Sequence, residues 1–257
     1  MVLRSRFLVL RSSSARIDLS VLPSTDQKPI YVNRMFSAIA ARYDFMNRLM
    51  TFGLDQGWRR FAVAQVTSQH WLGERRALDV ATGTGDFLPI LHGAMPDALV
   101  IGTDFCLPMM QAGESKVDAS GGRGAYVGGD AMCLPFPDNS FDAITTGFGM
   151  RNVADLMGAL REMHRVTKPG GRMVCLEVAR PRNALVRWGH QLYFNRIVPL
   201  IGALLGGNGE AYTYLPQSAE RFPPPEHLCD LLKAAGWRRV RFKLLGLGAV
   251  AVHVAEK

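Results

Sequence analysis

Three segments of the chain carry residue types suited to holding a nucleoside. Ala81-Thr82-Gly83-Thr84-Gly85-Asp86 follows a β-rich run and precedes a helical one. Glycines at 83 and 85 permit a tight turn and let a ligand approach the backbone closely. A dinucleotide fingerprint needs a third glycine, yet position 88 is Leu, and Asp86 in the first turn of the helix would repel a phosphate. The turn therefore suits a cationic ligand better than a pyrophosphate, although a purely structural glycine turn reads the same way. Asp104 stands 19 residues beyond Gly85, at the end of the next candidate strand. There a carboxylate can accept from two ribose hydroxyls or cap the following helix. Asp130-Ala131 closes a third strand and is followed by Leu134-Pro135-Phe136-Pro137. An acid there can accept from an adenine amino group while apolar residues cover the ring; alone, it reads as a cap before a proline turn. Three consecutive strand ends offering Gly or Asp turn three weak signals into one strong one.

Such ends converge only if the strands are parallel. Candidate strands fall at 77–81, 98–104, 125–130, 141–147 and 171–179, with helical patterns at 86–93, 108–117 and 155–167 between them. That alternation implies a parallel sheet covered on both faces. The last two strands, 237–245 and 249–256, are separated only by Gly246-Leu247-Gly248. A parallel crossover needs a dozen or more residues, so these two must be antiparallel. Upstream, Met35, Phe36, Ile39, Ala40, Tyr43, Met46 and Met50 recur at three- and four-residue spacing and predict a helix over 32–50. A second helix, 58–71, follows a break at Gly53. Residues 181–225 interrupt the strand–helix rhythm and read as an inserted helical cap near the ligand end of the sheet.

The chain has 257 residues, a formal charge of +8, 48% apolar and 20% charged residues, which excludes a disordered or collagen-like polypeptide. Cys106, Cys133, Cys175 and Cys229 are widely scattered, so neither a disulfide framework nor a zinc motif is expected, and no other metal motif occurs. Residues 1–20 hold four arginines, five serines and one acid. That composition reads as a mitochondrial transit peptide, ending in a linker by residue 28. The remaining positive charge lacks the aromatic–basic interleaving of RNA-binding proteins, so no nucleic-acid partner is expected. His164 and His190 show no partner pattern and read as structural.

The order LDVATGTGD, GTD, GDAMCLPFPDNSFD and RVTKPGG resembles the class I S-adenosylmethionine (SAM) methyltransferases. Tyr43-Asp44-Phe45-Met46-Asn47 through Gly53 to Trp58-Arg59, and Arg165–Gly171 through Leu176-Glu177 to Pro181, resemble both signatures of the UbiE-type quinone C-methyltransferase family. Phe148-Gly149-Met150-Arg151-Asn152-Val153 and Tyr212-Thr213-Tyr214-Leu215-Pro216 resemble further segments of it, so the likeness spans roughly residues 31–257. It implies an α/β, Rossmann-like fold: a mostly parallel, doubly wound sheet with an antiparallel C-terminal strand, a helical lid (31–71) and the cap. It also implies SAM as methyl donor, held by Gly83, Thr84, Gly85, Asp104, Asp130 and Ala131, with Gly147 where the family often has Ser.

With the Arg-rich start, the resemblance implies C-methylation of a polyprenyl benzoquinol in ubiquinone synthesis. The expected setting is the mitochondrial matrix, peripheral on the inner membrane, in a complex with other ubiquinone-biosynthesis proteins or as a homodimer. The alternatives are a demethylmenaquinone-type or other small-molecule methyltransferase, and a non-catalytic SAM- or lipid-binding subunit. A phenol with pKa near 10 is mostly neutral at pH 7–8, so ionising the quinol is worth about 3–4 kcal/mol to the reaction. Arg151 and Asn152, just beyond the fourth strand, are the catalytic candidates, with Asp104 as the acid of their network. The same two residues also read as a surface guanidinium and a helix N-cap. The stretch 188–205 is apolar, with Arg182, Arg187 and Arg196 near it, and suits a surface-lying helix, a buried helix or a dimer face.

Overall fold

The computed structural model describes residues 23, 27–67, 74–118, 123–202 and 209–257. The Arg-rich start, on which the transit-peptide reading rests, lies outside them. Seven strands form one sheet: β1 (Arg76–Val80), β2 (Leu99–Asp104), β3 (Gly124–Gly128), β4 (Phe141–Gly147), β5 (Thr167–Val178), β6 (Arg238–Leu245) and β7 (Val250–Glu256). Their order is β3-β2-β1-β4-β5-β7-β6. β1 to β5 pair in parallel, whereas β7 inserts antiparallel between β5 and β6. The three-residue turn at Gly246–Gly248 enforces that reversal.

Both faces of the sheet are buried, which is why its inner strands are apolar almost throughout. Leu78, Ile144, Met173 and Cys175 pack against α7 (Leu156–Val166) and α11 (Pro225–Ala234) on one face. Ala77, Val100, Ala143 and Val174 pack against α3 (Leu54–Thr67) and α4 (Leu88–Ala94) on the other. The chain switches direction between β1 and β4, so the crevice beyond their carboxyl ends is open to a ligand.

The predicted helix 32–50 is two helices, α1 (Lys28–Ile39) and α2 (Tyr43–Thr51), hinged by a 3-10 turn at Ala40–Arg42. Apolar spacing runs unbroken across the hinge because both helices turn the same face inward. The predicted helix 58–71 starts earlier, directly after Gly53 at φ +73°, and is described to Thr67. The helix expected over 108–117 divides into α5 (Leu107–Ala112) and α6 (Glu114–Asp118) at Gly113. A Cβ at Gly113 would lie 2.1 Å from the Thr84 carbonyl oxygen, so the glycine lets the 83–85 turn pack closely. The helix α11 was not foreseen.

The inserted segment is helical as expected: α8 (Ala184–Leu192), a π-helical turn (Tyr193–Ile197), α9 (Val198–Ile201) and α10 (Gly209–Arg221). Lid and cap share a core of their own, in which Val32, Met35 and Met46 meet Val198, Ala211 and Tyr214. The Tyr193 hydroxyl also donates to the Met50 carbonyl at 2.8 Å.

Candidate active site

The sequence-predicted cofactor residues, Gly85 excepted, converge at the carboxyl ends of β1 to β4. Gly83, Thr84, Asp104, Asp130, Ala131, Gly147 and Asn152 line one cleft of about 920 Å³, its open mouth included. Ala81 at φ +54° and Gly83 at φ +56° curl the chain away from β1. Asp104 Oδ2 accepts from the Gly83 amide at 2.7 Å and Oδ1 from the Cys106 amide at 2.8 Å. A carboxylate offers about four acceptor positions, so both oxygens can still receive ribose hydroxyls. Burial pushes the Asp104 pKa up against the pull of those amides. Asp130 Oδ1 accepts from the Met132 amide at 2.8 Å, which aims the carboxylate across the cleft mouth.

Three expected details differ. Gly85 does not line the cleft; its Cβ would strike the Tyr126 hydroxyl at 2.1 Å, so its smallness serves packing. Leu134 and Phe136 turn into the core, and Phe105, Met109 and Met132 supply the apolar wall instead. Asp86 precedes α4 and is no uncompensated charge awaiting a cationic ligand. Lys116 Nζ lies 2.6 Å away, Arg48 Nη2 3.0 Å and Arg59 Nη2 3.4 Å, and despite burial these cations hold its pKa down at about 2. Lys116 also pairs with Asp44 on α2 at 2.6 Å, and Thr84 Oγ1 donates to that carboxylate at 2.5 Å. The lid is thus fastened to the glycine turn by a charge network.

Gly147 has a local cause: a Cβ there would meet the Phe87 ring at 2.5 Å and Arg59 Nη1 at 2.9 Å. Arg59, only 4% exposed, stacks its guanidinium between Phe87 and Phe148, 5.0 and 5.4 Å from their centroids. Sequence reasoning quoted Arg59 only within a signature and missed this placement.

Arg151 is buried rather than a surface cation, and it sits with Asn152 in a 3-10 turn (Met150–Asn152). The expected acid partner was Asp104. The carboxylate that pairs with Arg151 is instead Glu177 of β5, 1% exposed, both of whose oxygens lie 3.3 Å from Nη1. Glu177 Oε1 also accepts from the Arg151 amide at 3.3 Å. The Phe148 carbonyl accepts from both Arg151 and Asn152, and Phe148 itself holds φ +59°. Asn152 does not cap α7, whose N-cap is Asp155; its Oδ1 is buried without a hydrogen-bond partner. From the lid, Lys28 Nζ donates to the Arg151 and Val153 carbonyls at 3.1 and 2.8 Å.

A second cavity, about 1140 Å³, opens beside the first and shares Tyr43, Arg59 and Phe148 with it. Arg151 lines this cavity rather than the first. The remaining wall is mostly apolar: Met50, Phe52, Leu54, Trp58, Val178, Tyr193, Phe194, Val198, Leu215 and Leu247 among others. Phe52 is 78% and Leu247 82% exposed, so large apolar side chains also ring the entrance.

The model of the ubiE/COQ5 methyltransferase family matches residues 24–257. The demethylmenaquinone methyltransferase of Roseiflexus castenholzii is 55% identical over 94% of this chain and 99% of its own length. The enzyme of the same name from Thermus thermophilus is 45% identical over 87% of this chain and all of its own. The ubiquinone/menaquinone biosynthesis C-methyltransferase UbiE of Desulfotalea psychrophila is 42% identical, covering 88% and 90%. Among solved structures, a possible histamine N-methyltransferase from Thermotoga maritima aligns with TM-score 0.54 at 21% identity, covering 84% of this chain and 98% of its own. A putative methyltransferase of Haloferax volcanii, in complex with its Trm112 activator, reaches 0.61 at 18%, covering 86% and 96%. These structures share the fold. The relatives are bacterial, which overturns the mitochondrial-matrix localisation expected from the Arg-rich start. The acceptors that line the cleft, the Asp104 and Asp130 carboxylates and the orphaned Asn152 Oδ1, are of the kind the hydroxyl and amino groups of SAM would need. Family match, relatives and fold agree, and the chain belongs to the ubiE/COQ5 family of SAM-dependent methyltransferases.

Proposed function

We propose that this methyltransferase methylates a ring carbon of a polyprenyl quinol, and that the quinol is a naphthoquinol of the demethylmenaquinone type. The observation that carries the reading is the apolar cavity whose wall of Tyr43, Arg59 and Phe148 is also the wall of the cofactor cleft. A flat aromatic ring at that wall and an isoprenoid tail along Met50, Trp58 and Leu247 match its chemistry. The naphthoquinol is favoured over the benzoquinol by the relatives' names, and the benzoquinol loses its support with the mitochondrial setting.

When bound, SAM supplies a methyl group activated by its sulfonium. The protein's task is then alignment, which alone is worth about 7–11 kcal/mol, and stabilisation of the phenolate. Arg151, oriented by Glu177, faces the second cavity and offers positive charge to that oxygen. Asn152 lines the cofactor side of the same turn.

The tail must come from a membrane, and among the described residues no helix is long and apolar enough to cross one. Leu185, Trp188 and Leu200 of the cap are exposed alongside Phe52 and Leu247, with Arg182, Arg187 and Arg196 on the same segment. A peripheral seat on an anionic bilayer follows from that pairing of apolar and basic groups. The experiment is incubation of the purified protein with labelled SAM and either a demethylmenaquinol or a demethylated benzoquinol. Label in the naphthoquinol ring is expected; label only in the benzoquinol, or in neither, would refute the proposal.

A further inference from the structure

We infer that His190 is the proton acceptor for a ring hydroxyl of the quinol, a role that rests on the quinol reading above. His190, on α8, lines the apolar cavity together with Arg151 and Tyr43. Its ring stacks on Phe194, centroids 4.4 Å apart and planes 27° from parallel, so its orientation is fixed by packing. Its Nε2 is buried and has no hydrogen-bond partner. A buried orphan acceptor or donor costs about 1–3 kcal/mol, a cost that a ligand hydroxyl would remove.

The other polar groups of the cavity are committed elsewhere or only donate. Arg59 and Arg151 carry guanidinium groups, which have no acceptor atom. Asp55 pairs with Arg48 and Arg59 and accepts from Thr51 and Gln56 at 3.0 and 3.1 Å. Tyr43 is pushed up in pKa chiefly by burial and stays a phenol. Tyr193 is also raised by burial, and its hydroxyl is committed to the Met50 carbonyl. His190 differs: burial lowers its pKa, so near neutral pH its imidazole is unprotonated and able to accept. Arg180, Arg187 and Glu220 line an adjoining cavity with it, and burial is the cause that lowers its pKa.

The step balances without a further reagent. The hydroxyl proton passes to Nε2 as the ring carbon forms its bond to the methyl, and the sulfur–methyl bond breaks with its electron pair on sulfur. The carbon then loses its own hydrogen as a proton, the ring becomes aromatic again, and the oxygen recovers a proton from the imidazolium. One proton is released to solvent for each methyl transferred.

The test uses the full chain with His190→Phe, which keeps the stack on Phe194, and His190→Gln, which keeps a hydrogen-bonding group but cannot be protonated. Binding of SAM and of a short-tailed demethylmenaquinol under anaerobic conditions is read by calorimetric titration. Both variants are expected to bind SAM as the wild type does. Both are expected to lose about a hundredfold in kcat and the acidic limb of the kcat/KM–pH profile, and His190→Gln to retain quinol affinity. If the wild type methylates the quinol and both variants keep its kcat and its acidic limb, the His190 assignment is wrong. If both variants keep the limb and lose only quinol affinity, His190 is a packing wall and the assignment is again wrong. If the wild type methylates no quinol, the substrate reading fails, and this inference with it.

Discussion

The two cavities are built from opposite materials. The cofactor cleft is made of backbone turns and carboxylates at the ends of β1 to β4, held by a sheet buried on both faces. The second cavity is made mostly of apolar side chains on α2, α3 and the cap, with Val178 of β5 and Val250 of β7 giving it a floor from the sheet. The first can read hydrogen-bonding groups at fixed positions, while the second offers area and shape to a greasy tail. Their common wall of Tyr43, Arg59 and Phe148 is where a methyl group would cross from one to the other. The division of labour teaches that rigidity is placed where a polar ligand must be oriented, and repackable helices where an apolar one must enter.

Single substitutions should affect the two cavities differently. The largest effect belongs to Arg59, which serves both cavities and is an ion-pair partner of both Asp55 and Asp86. Removing one partner from a buried charge cluster costs about 3–5 kcal/mol, so Arg59→Met should lower the unfolding free energy by that order and weaken both ligands. Denaturant unfolding and titrations of each ligand measure this; loss of one ligand alone would show that the wall is not shared. Next comes Arg151→Ala, expected to leave SAM affinity unchanged while kcat falls about 10²–10³-fold. Calorimetric SAM titration beside turnover decides it, and wild-type turnover would remove Arg151 from the mechanism.

A third effect is electrostatic and confined to the cofactor side. Asp86 has a folded pKa depressed to about 2 from the ordinary carboxylate value of 3.8, so its pairing stabilises the fold above about pH 4. That contribution, about 2 kcal/mol, is lost as the pH falls from about 4 through 2. Asp86→Asn should therefore be less stable than wild type at pH 7, with the gap closing toward pH 2 in unfolding curves across that range. The smallest effect is at the entrance of the other cavity. Leu247→Ser should raise KM for the quinol several-fold, about 1 kcal/mol of lost apolar contact, and leave KM for SAM alone.

The same contrast explains what was legible in the sequence. Strand ends are fixed by short apolar runs and tight turns, so Gly83, Asp104 and Asp130 could be expected at one cleft from their places after successive strands, whereas Gly147 entered through the family resemblance. The C-terminal hairpin was legible for the same reason, since three residues permit only one reversal. Glu177 was hidden because it lies within the long β5 run and meets Arg151 only through the parallel pairing of β4 with β5. The clustering of Lys116, Arg48 and Arg59 on Asp86 was hidden because those cations come from three separate helices. The hinge at Ala40–Arg42 escaped because apolar periodicity follows burial, and burial is continuous across it. His190 looked structural because a single imidazole on a helix carries no spacing signal, and neither its place in the cavity wall nor its unpartnered, buried nitrogen shows in the sequence.

The central claim is that a quinol ring and the cofactor meet at the Tyr43–Arg59–Phe148 wall. A crystal structure of the protein with S-adenosylhomocysteine and a short-tailed naphthoquinol tests it most directly. The account predicts the nucleoside against Asp104 and Asp130, the ring against Phe148 and Tyr43 beside Arg151, and the tail running toward Phe52 and Leu247. A ring bound outside that cavity, with the wall closed between it and the cofactor, would contradict the account.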